Sequence, residues 1–104
     1  MTVPRFDELI HSPTRLAIVS LLAASEWADF SYIRDTVELS DSALSKQLTT
    51  LEQAGYAEIR KRFIGKRPRT SARLTARGRT AFERHVAALQ QIVLRSGATI
   101  LPTG

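Results

Sequence analysis

Residues 40–56 read SDSALSKQLTTLEQAGY, and this stretch decides how the chain folds. Ser40 is a favoured residue for capping a helix start, and Gly55 suits the left-handed conformation that ends one. Between them three leucines recur at helical spacing: Leu44, Leu48 and Leu51. The opposite face carries short or flexible hydrogen-bonding side chains: Ser42, Ser45, Lys46 and Thr49. The stretch therefore predicts an amphipathic helix, buried on its leucine face and free on its polar face.

Two helices are predicted ahead of this one. Ser12-Pro13 opens the first, since Ser12 can cap and proline suits the first helical position. Asp29 can cap the second, from Phe30 to about Val37. A break at Leu39-Ser40 then separates the second helix from the third. Two helices joined by so short a turn predict a helix-turn-helix.

After Gly55 the helical period gives way to alternation. Residues 56–61 predict a strand, Gly65-Lys66-Arg67-Pro68 a turn, and residues 70–74 a returning strand. Thr75 can cap a last helix from about Ala76 to Leu94, with Gly78 as its weak point. The expected fold is mainly α with a small β-hairpin wing, an α+β winged helix-turn-helix.

The size and composition favour one globular domain. The chain has 104 residues, of which 43% are hydrophobic and 24% charged. We expect the domain to span residues 1–95 and residues 96–104 to form a flexible tail. Cysteine is absent, which excludes disulfides and thiolate metal sites. No leader or membrane span is predicted, so we expect a cytoplasmic protein.

A basic tract is the strongest functional signal. Residues 59–82 contain no Asp or Glu but hold nine of the fifteen basic residues: Arg60, Lys61, Arg62, Lys66, Arg67, Arg69, Arg73, Arg77 and Arg79. The net charge of +5 favours a polyanionic partner, and charge alone leaves open whether this is nucleic acid or an anionic membrane. Such a run is often only a solvated surface. Folded as a hairpin beside a helix-turn-helix, it predicts a positive finger for a phosphate backbone or a minor groove.

Three blocks resemble the winged-helix transcription regulators of the MarR and ArsR type, including their short members. The blocks are residues 12–16 (SPTRL), residues 44–56 (LSKQLTTLEQAGY) and residues 74–79 (LTARGR). The second is similar to a recognition helix ending in L-E-x-x-G followed by an aromatic or aliphatic residue, and the third to the L-T-x-x-G-R that follows the wing. The resemblance covers about Ser12 to Val93.

The resemblance implies a division of labour among the polar residues. In the recognition helix Ser42, Ser45, Lys46 and Thr49 would face the major groove. Arg67 at the wing tip would approach the minor groove, with phosphates bound by the other wing cations: Lys61, Arg62, Lys66 and Arg69. The core would include Leu44, Leu48, Leu51, Ile59 and Leu74. The metal-sensing members use Cys or clustered His, whereas this chain has only His11 and His85, so no metal and no cofactor are expected.

Apolar residues near both ends of the chain predict a second copy as partner. They form one stripe of Phe6, Leu9 and Ile10, and another of Phe82, Val86, Leu89 and Val93. Part of each stripe must pack on its own domain, but a chain this small buries its core poorly, and the resemblance also implies a homodimer. Any small-molecule effector is unknown, because no polar residues are seen to converge on a cavity.

The expected function is that of a sequence-specific, double-stranded DNA-binding transcriptional regulator, acting as a repressor at the nucleoid. A homodimer would set two recognition helices about 34 Å apart on a pseudo-palindromic operator. An enzyme is excluded, because no nucleophile with a base, carboxylate pair or metal set is present. The alternative is a winged-helix module that assembles proteins without binding specific DNA.

Overall fold

The structure is a computed structural model, and it describes residues 6–97. Within that range the elements are α1 (Glu8–His11), α2 (Pro13–Ala23), β1 (Ala28–Asp29), α3 (Phe30–Val37), α4 (Asp41–Gln53), β2 (Ala57–Ile64), β3 (Arg67–Leu74) and α5 (Ala76–Arg95). The predicted class, mainly α with a small hairpin wing, is confirmed. Of the predicted tail only Ser96 and Gly97 are described, and residues 98–104 lie outside the described residues.

The three strands form one antiparallel sheet in the order β1-β3-β2. The sequence analysis missed β1, a two-residue strand that pairs Ala28 with Ala72 and Asp29 with Ser71. So short a strand has no period of its own, and only its non-local pairing with β3 makes it visible.

The hairpin of β2 and β3, which we call the wing, is longer and tighter than predicted. Its loop is only Gly65–Lys66, where the expected turn ran to residue 68. Gly65 has a φ of 63°, which suits the first central residue of a two-residue hairpin turn. Pro68 is part of β3, opposite Phe63. In a two-residue hairpin the second pair of residues from the loop makes no hydrogen bond between the strands. A proline in that pair therefore removes no such hydrogen bond.

Two of the four predicted helix caps form as expected. The Ser40 hydroxyl accepts the Ala43 N–H at 3.2 Å, and the Thr75 hydroxyl accepts the Gly78 N–H at 3.0 Å. Ser12 and Asp29 make no side-chain cap bond. Strand β1 places Asp29 across from Ser71, whose hydroxyl donates to the Asp29 carboxylate at 3.2 Å instead.

The core lies between α2, α3, α4 and the body of the sheet. The leucines of α4 are almost fully buried, as predicted, and Leu74 is buried with them. The other core residues are Ile18, Val19, Leu22, Ala28, Ile33, Ala57 and Ala72. Ile59 is half-buried against this cluster. Burial of the leucine face leaves the opposite face of α4 in solvent.

The turn between α3 and α4 is held by polar contacts. Glu38 is left-handed, with a φ of 56°, and the Leu39 N–H donates to the Arg34 carbonyl at 3.1 Å. The Arg34 guanidinium binds Asp35 at 2.9 Å and Asp41, the first residue of α4, at 2.8 Å. These exposed ion pairs add little stability, but they span the turn and help to fix the direction of α4.

The start of α5 is fastened to the end of α4. The Thr75 hydroxyl donates to the Gly55 carbonyl at 2.6 Å, and the Thr75 N–H donates to the Tyr56 carbonyl at 3.1 Å. Gly78 packs directly on Tyr56, because a Cβ at residue 78 would stand 2.1 Å from the Tyr56 carbonyl oxygen. Gly78 therefore lets the helix approach this closely.

Candidate nucleic-acid interface

The free face of α4 presents the four residues predicted to read DNA. Ser42, Ser45, Lys46 and Thr49 are all exposed. The Thr49 hydroxyl donates to the Ser45 carbonyl at 2.9 Å, which leaves its lone pairs and methyl group outward. The face thus offers small donors and acceptors and one cation, without bulk that would keep a groove away.

The wing and α4 enclose one cleft. It has a volume of about 580 Å³ and is lined by Phe30, Ser45, Leu48, Thr49, Glu52, Ile59, Lys61 and Thr70. Lys61 and Thr70 are cross-strand partners on the same sheet face as half-buried Ile59 and buried Ala72. The structure therefore brings the helix residues and the base of the wing to one surface. Thr70 was not predicted there, although strand alternation places it on this face.

The five cations assigned to the wing are exposed and essentially unpaired. Lys61, Arg62, Lys66 and Arg67 make no ion pair or side-chain hydrogen bond within the described residues. Arg69 makes only a long contact, 3.9 Å from Asp29. Because these charges are not neutralised by the chain, they give the hairpin a positive potential that an anionic partner can satisfy.

The other four cations of the basic tract serve the fold. Arg60 and Arg73 both lie over the Trp27 ring, with guanidinium carbons 3.9 Å and 4.7 Å from its centroid. Arg73 also binds Glu58 through two nitrogens, at 2.8 and 3.0 Å. Arg79 donates to the Ala23 carbonyl near the end of α2, at 3.2 Å.

Arg77 is the fourth of these structural cations, and it lies over the Tyr56 ring at 5.9 Å. No sequence pattern separated these four arginines from the five free ones. The distinction depends on which aromatic ring, carboxylate or helix end lies beside each residue.

The two apolar stripes predicted near the ends of the chain lie close to each other, but only some of their residues are accessible at the surface. Ile10 is fully buried in the chain's own core, so it cannot contact a second copy directly. Phe82 is half-buried against the core. A mainly apolar groove of about 580 Å³ joins the two ends, lined by Phe6, Glu8, His11, Ser12, Pro13, Leu16 and Leu89. Val86 and Val93 are half-buried, while Ile92 and Leu94 are exposed.

A second cleft does gather polar side chains, contrary to the sequence analysis. It has a volume of about 570 Å³ and is lined by Phe6, Asp7, Tyr56, Ala76, Arg77, Thr80, Ala81, Arg84 and His85. These residues come from the N-terminal turn, from the end of α4 and from the start of α5. Sequence reasoning missed the convergence because the residues are distant along the chain.

Asp7 is the centre of that cleft. Its carboxylate caps α1 by accepting the Leu9 and Ile10 N–H groups at 3.0 and 3.3 Å, and it accepts the Tyr56 hydroxyl at 2.5 Å. The Asp7 N–H donates to His85 Nδ1 at 3.2 Å. The hydrogen bond to Asp7 raises the pKa of Tyr56 above its usual value, with burial adding to the effect.

His85, on α5, is packed rather than exposed. It is 1% exposed, and its Nε2 is buried without a hydrogen-bond partner. Its ring lies 5.3 Å from Phe6 and 5.4 Å from His11. Burial lowers the pKa of His85, and the nearby His11 lowers it further, so the imidazole stays neutral near pH 7.

The described residues contain neither a metal-binding cluster nor a membrane-spanning helix. No group of three His, Asp or Glu side chains is placed to hold a metal ion among residues 6–97. In the same range no helix is long and apolar enough to cross a membrane.

A helix-turn-helix followed by a basic hairpin is the arrangement of a winged helix. Comparison with protein families agrees: residues 14–93 match the model of a winged helix DNA-binding domain. The chain belongs to this family.

Two known proteins are similar to this chain over most of its length. It is 31% identical over 85 residues to the protein MJ0432 of Methanocaldococcus jannaschii, covering 82% of this chain and 92% of the relative. It is similar to a transcriptional regulator homologue from Pyrococcus horikoshii, with 27% identity, a TM-score of 0.80, and coverage of 86% of this chain and 89% of the other.

The S. aureus MepR protein, solved as a DNA complex, shares the fold at a TM-score of 0.72 and 14% identity. That similarity covers 86% of this chain and 73% of MepR.

Proposed function

We propose that this protein is a sequence-specific, double-stranded DNA-binding transcriptional regulator of the MarR or ArsR type. It binds a pseudo-palindromic operator as a homodimer, acts as a repressor at the nucleoid, and has no catalytic role. The observation that carries the proposal is the common surface of α4 and the wing, where exposed hydrogen-bonding residues of α4 adjoin Lys61. The wing also carries four other cations that have almost no partners among the described residues. Such a surface combines base readout with phosphate binding.

The two halves of the surface have separable roles. Ser45 and Lys46 reach base edges from α4, so replacing either by alanine should change which sequence is preferred. Lys66 and Arg67 lie at the tip of the wing, where replacement by alanine should weaken binding to all sequences alike. For every phosphate that a variant no longer neutralises, the slope of log affinity against log salt should fall by about 0.9.

The test is selection from a randomised duplex pool, followed by titration of the winner at several salt concentrations. A two-fold symmetric site whose affinity falls with salt supports the proposal. Arg73→Ala is the matched control for the wing, because Arg73 is paired with Glu58 and Trp27 and should leave the salt slope unchanged. Absence of any enriched site, together with equal salt slopes for all variants, would contradict specific binding and favour the assembly module.

The homodimer rests on the apolar groove that joins the two ends of the chain. Leu89 lines this groove beside Phe6, and exposed Ile92, three residues further along α5, lies on the same side of the helix. Leu89→Asp should yield a monomer in sedimentation and lose affinity for the full site, because only one half-site can then be bound. Ala87→Asp, on the same helix but outside the groove lining, is the control and should remain a dimer.

The cleft around Asp7 is the proposed effector site of the regulator. Arg77 and Arg84 line it together with His85, so a small anion would find positive charge there. Thermal-shift screening of small organic acids tests this. Arg84→Ala should abolish any stabilisation found, and stabilisation that persists in this variant would place the anion elsewhere.

A further inference from the structure

The tip of the wing carries apolar side chains in an otherwise charged hairpin. Phe63 is 75% exposed and Ile64 is 50% exposed, and both lie immediately before the Gly65–Lys66 loop. Pro68 stands opposite Phe63 across the hairpin. Since successive strand residues point to opposite faces, Phe63 and Pro68 cover one face of the tip and Ile64 the other.

The hairpin is layered from its loop towards the body of the domain. The first two pairs are Ile64 with Arg67 and Phe63 with Pro68, and the third is Arg62 with Arg69. Each layer adds about 3.4 Å along the strands. The outermost part of the hairpin, about 7 Å long, thus carries apolar side chains together with the cations Lys66 and Arg67, and a pair of guanidinium groups follows directly.

A duplex minor groove matches this layering in depth. It is about 7.5 Å deep, so a tip of two layers would fill it and bring Arg62 and Arg69 to the phosphates at its rim. Within residues 6–97 the wing cations have almost no partners, which makes a polyanion the complementary occupant. The position of the wing beside the exposed face of α4 places the same duplex within reach.

The minor groove is too narrow for the hairpin, although its depth matches. Paired strands stand about 4.8 Å apart before side chains are added, whereas the groove is only about 6 Å wide. A tip with a phenyl ring on one face and a branched side chain on the other enters only if the groove opens. Apolar side chains that enter minor grooves open them by unstacking a base step, which bends the duplex towards the major groove.

We propose that the wing tip is an apolar wedge: Phe63, backed by Pro68, inserts at a base step of the minor groove and bends the operator. The inference rests on the proposed DNA-binding function and adds a second source of specificity. Pyrimidine–purine steps such as TA and CA unstack most easily, so they should be preferred where the wing lands, without any hydrogen bond to a base.

The experiment uses the full-length protein and its selected duplex. One strand carries 2-aminopurine at the step under the wing, and the duplex ends carry a fluorescent donor and acceptor. Wild-type protein should raise the 2-aminopurine emission several-fold and shorten the distance between the ends. Phe63→Ala should abolish both signals and bind roughly ten-fold more weakly, because unstacking is no longer stabilised. Its salt slope should stay that of the wild type, since no cation is removed.

Two further variants and one altered duplex isolate the wedge. Phe63→Leu keeps an apolar side chain and should retain part of the bend. Tyr32→Ala removes an aromatic residue that is 57% exposed on α3 and is not part of the hairpin, and it should behave as wild type. A mismatch at the wing step lowers the cost of unstacking and should restore much of the affinity of Phe63→Ala.

Three results would overturn the wedge. If Phe63→Ala binds and bends its site like the wild type, the wedge is wrong while the proposed function stands. If the free variant differs in mass from the wild type by sedimentation, Phe63 contacts a second copy instead. If the wild type selects no duplex at all, the proposed function fails first and the wedge with it.

Discussion

Gly78→Ala should destabilise the protein, although alanine is the better helix former. The new Cβ would lie 2.1 Å from the Tyr56 carbonyl oxygen and 2.9 Å from the carbonyl carbon. These are backbone atoms, so no side chain can rotate away. Either α5 or residues 55–56 must move by about an ångström, which is the scale of rearrangement that overpacking forces on a filled interior.

The magnitude follows from opposing effects. Overpacking costs about 1–3 kcal/mol, and the shift weakens the Thr75 hydrogen bonds to Gly55 and Tyr56, each worth about 1 kcal/mol. Alanine returns about 1 kcal/mol of helix propensity. The net destabilisation should be about 2–3 kcal/mol, which lowers the melting temperature of a chain this size by roughly 10 °C.

Urea unfolding, followed by far-ultraviolet circular dichroism at several protein concentrations, measures this change. Several concentrations are needed because the stability of a dimer depends on concentration. Thr80→Ala, exposed on the same helix, is the control and should be neutral or slightly stabilising. An unfolding midpoint for Gly78→Ala equal to or above that of the wild type would refute the reasoning from close approach.

Four further substitutions probe other interactions. Thr75→Val removes a hydroxyl that both caps α5 and binds the Gly55 carbonyl, and urea unfolding should show a destabilisation of about 1–2 kcal/mol. Trp27→Ala removes the ring under two guanidinium groups and should cost about 2 kcal/mol in the same assay, whereas Tyr32→Ala should cost little. The pKa of His85 is lowered in the folded chain, mainly by burial. Its contribution to the free energy of unfolding is therefore present above the pKa of the unfolded chain, about 6.5, and is lost as the pH falls. In His85→Leu, the free energy of unfolding should change less between neutral and acidic pH. The pKa of Tyr56 is raised, so Tyr56→Phe should abolish the transition that lies above the usual tyrosine range in a phenolate absorbance titration.

Local sequence patterns were sufficient to predict the longer helices and the exposed face of α4. Leucine spacing fixed which side of α4 is buried, and Ser40 and Thr75 cap as their side chains allow. Asp29 is also a favoured residue for a helix cap. Strand β1, however, brings Asp29 close to Ser71, and the Asp29 carboxylate accepts the Ser71 hydroxyl instead of capping α3. Local propensity decides such a case only when no tertiary partner competes.

The basic tract shows what the sequence could not resolve. Arg60 and Arg62 share one face of β2, because they are two residues apart. Arg60 lies nearer the body of the domain, where it covers Trp27, while Arg62 extends beyond the reach of any carboxylate or ring in the described residues. A count of charges carries no information on distance from the core. That distance is what separates Arg60, which packs on the fold, from Arg62, which has no partner in the described residues.

The hydrogen bonds of Asp7 also bear on how two copies would sit on DNA. Asp7 joins the N-terminal turn to Tyr56, three residues after the end of α4, and to His85 on α5. Both terminal elements of the proposed dimer are thereby held to the helix that would read the bases. Because this joint is made of short hydrogen bonds around a mostly buried histidine, it should resist bending more than a flexible linker would. The distance between the two recognition helices would then be a property of the folded chain, and a shift in the Asp7 cleft would be transmitted directly to half-site spacing.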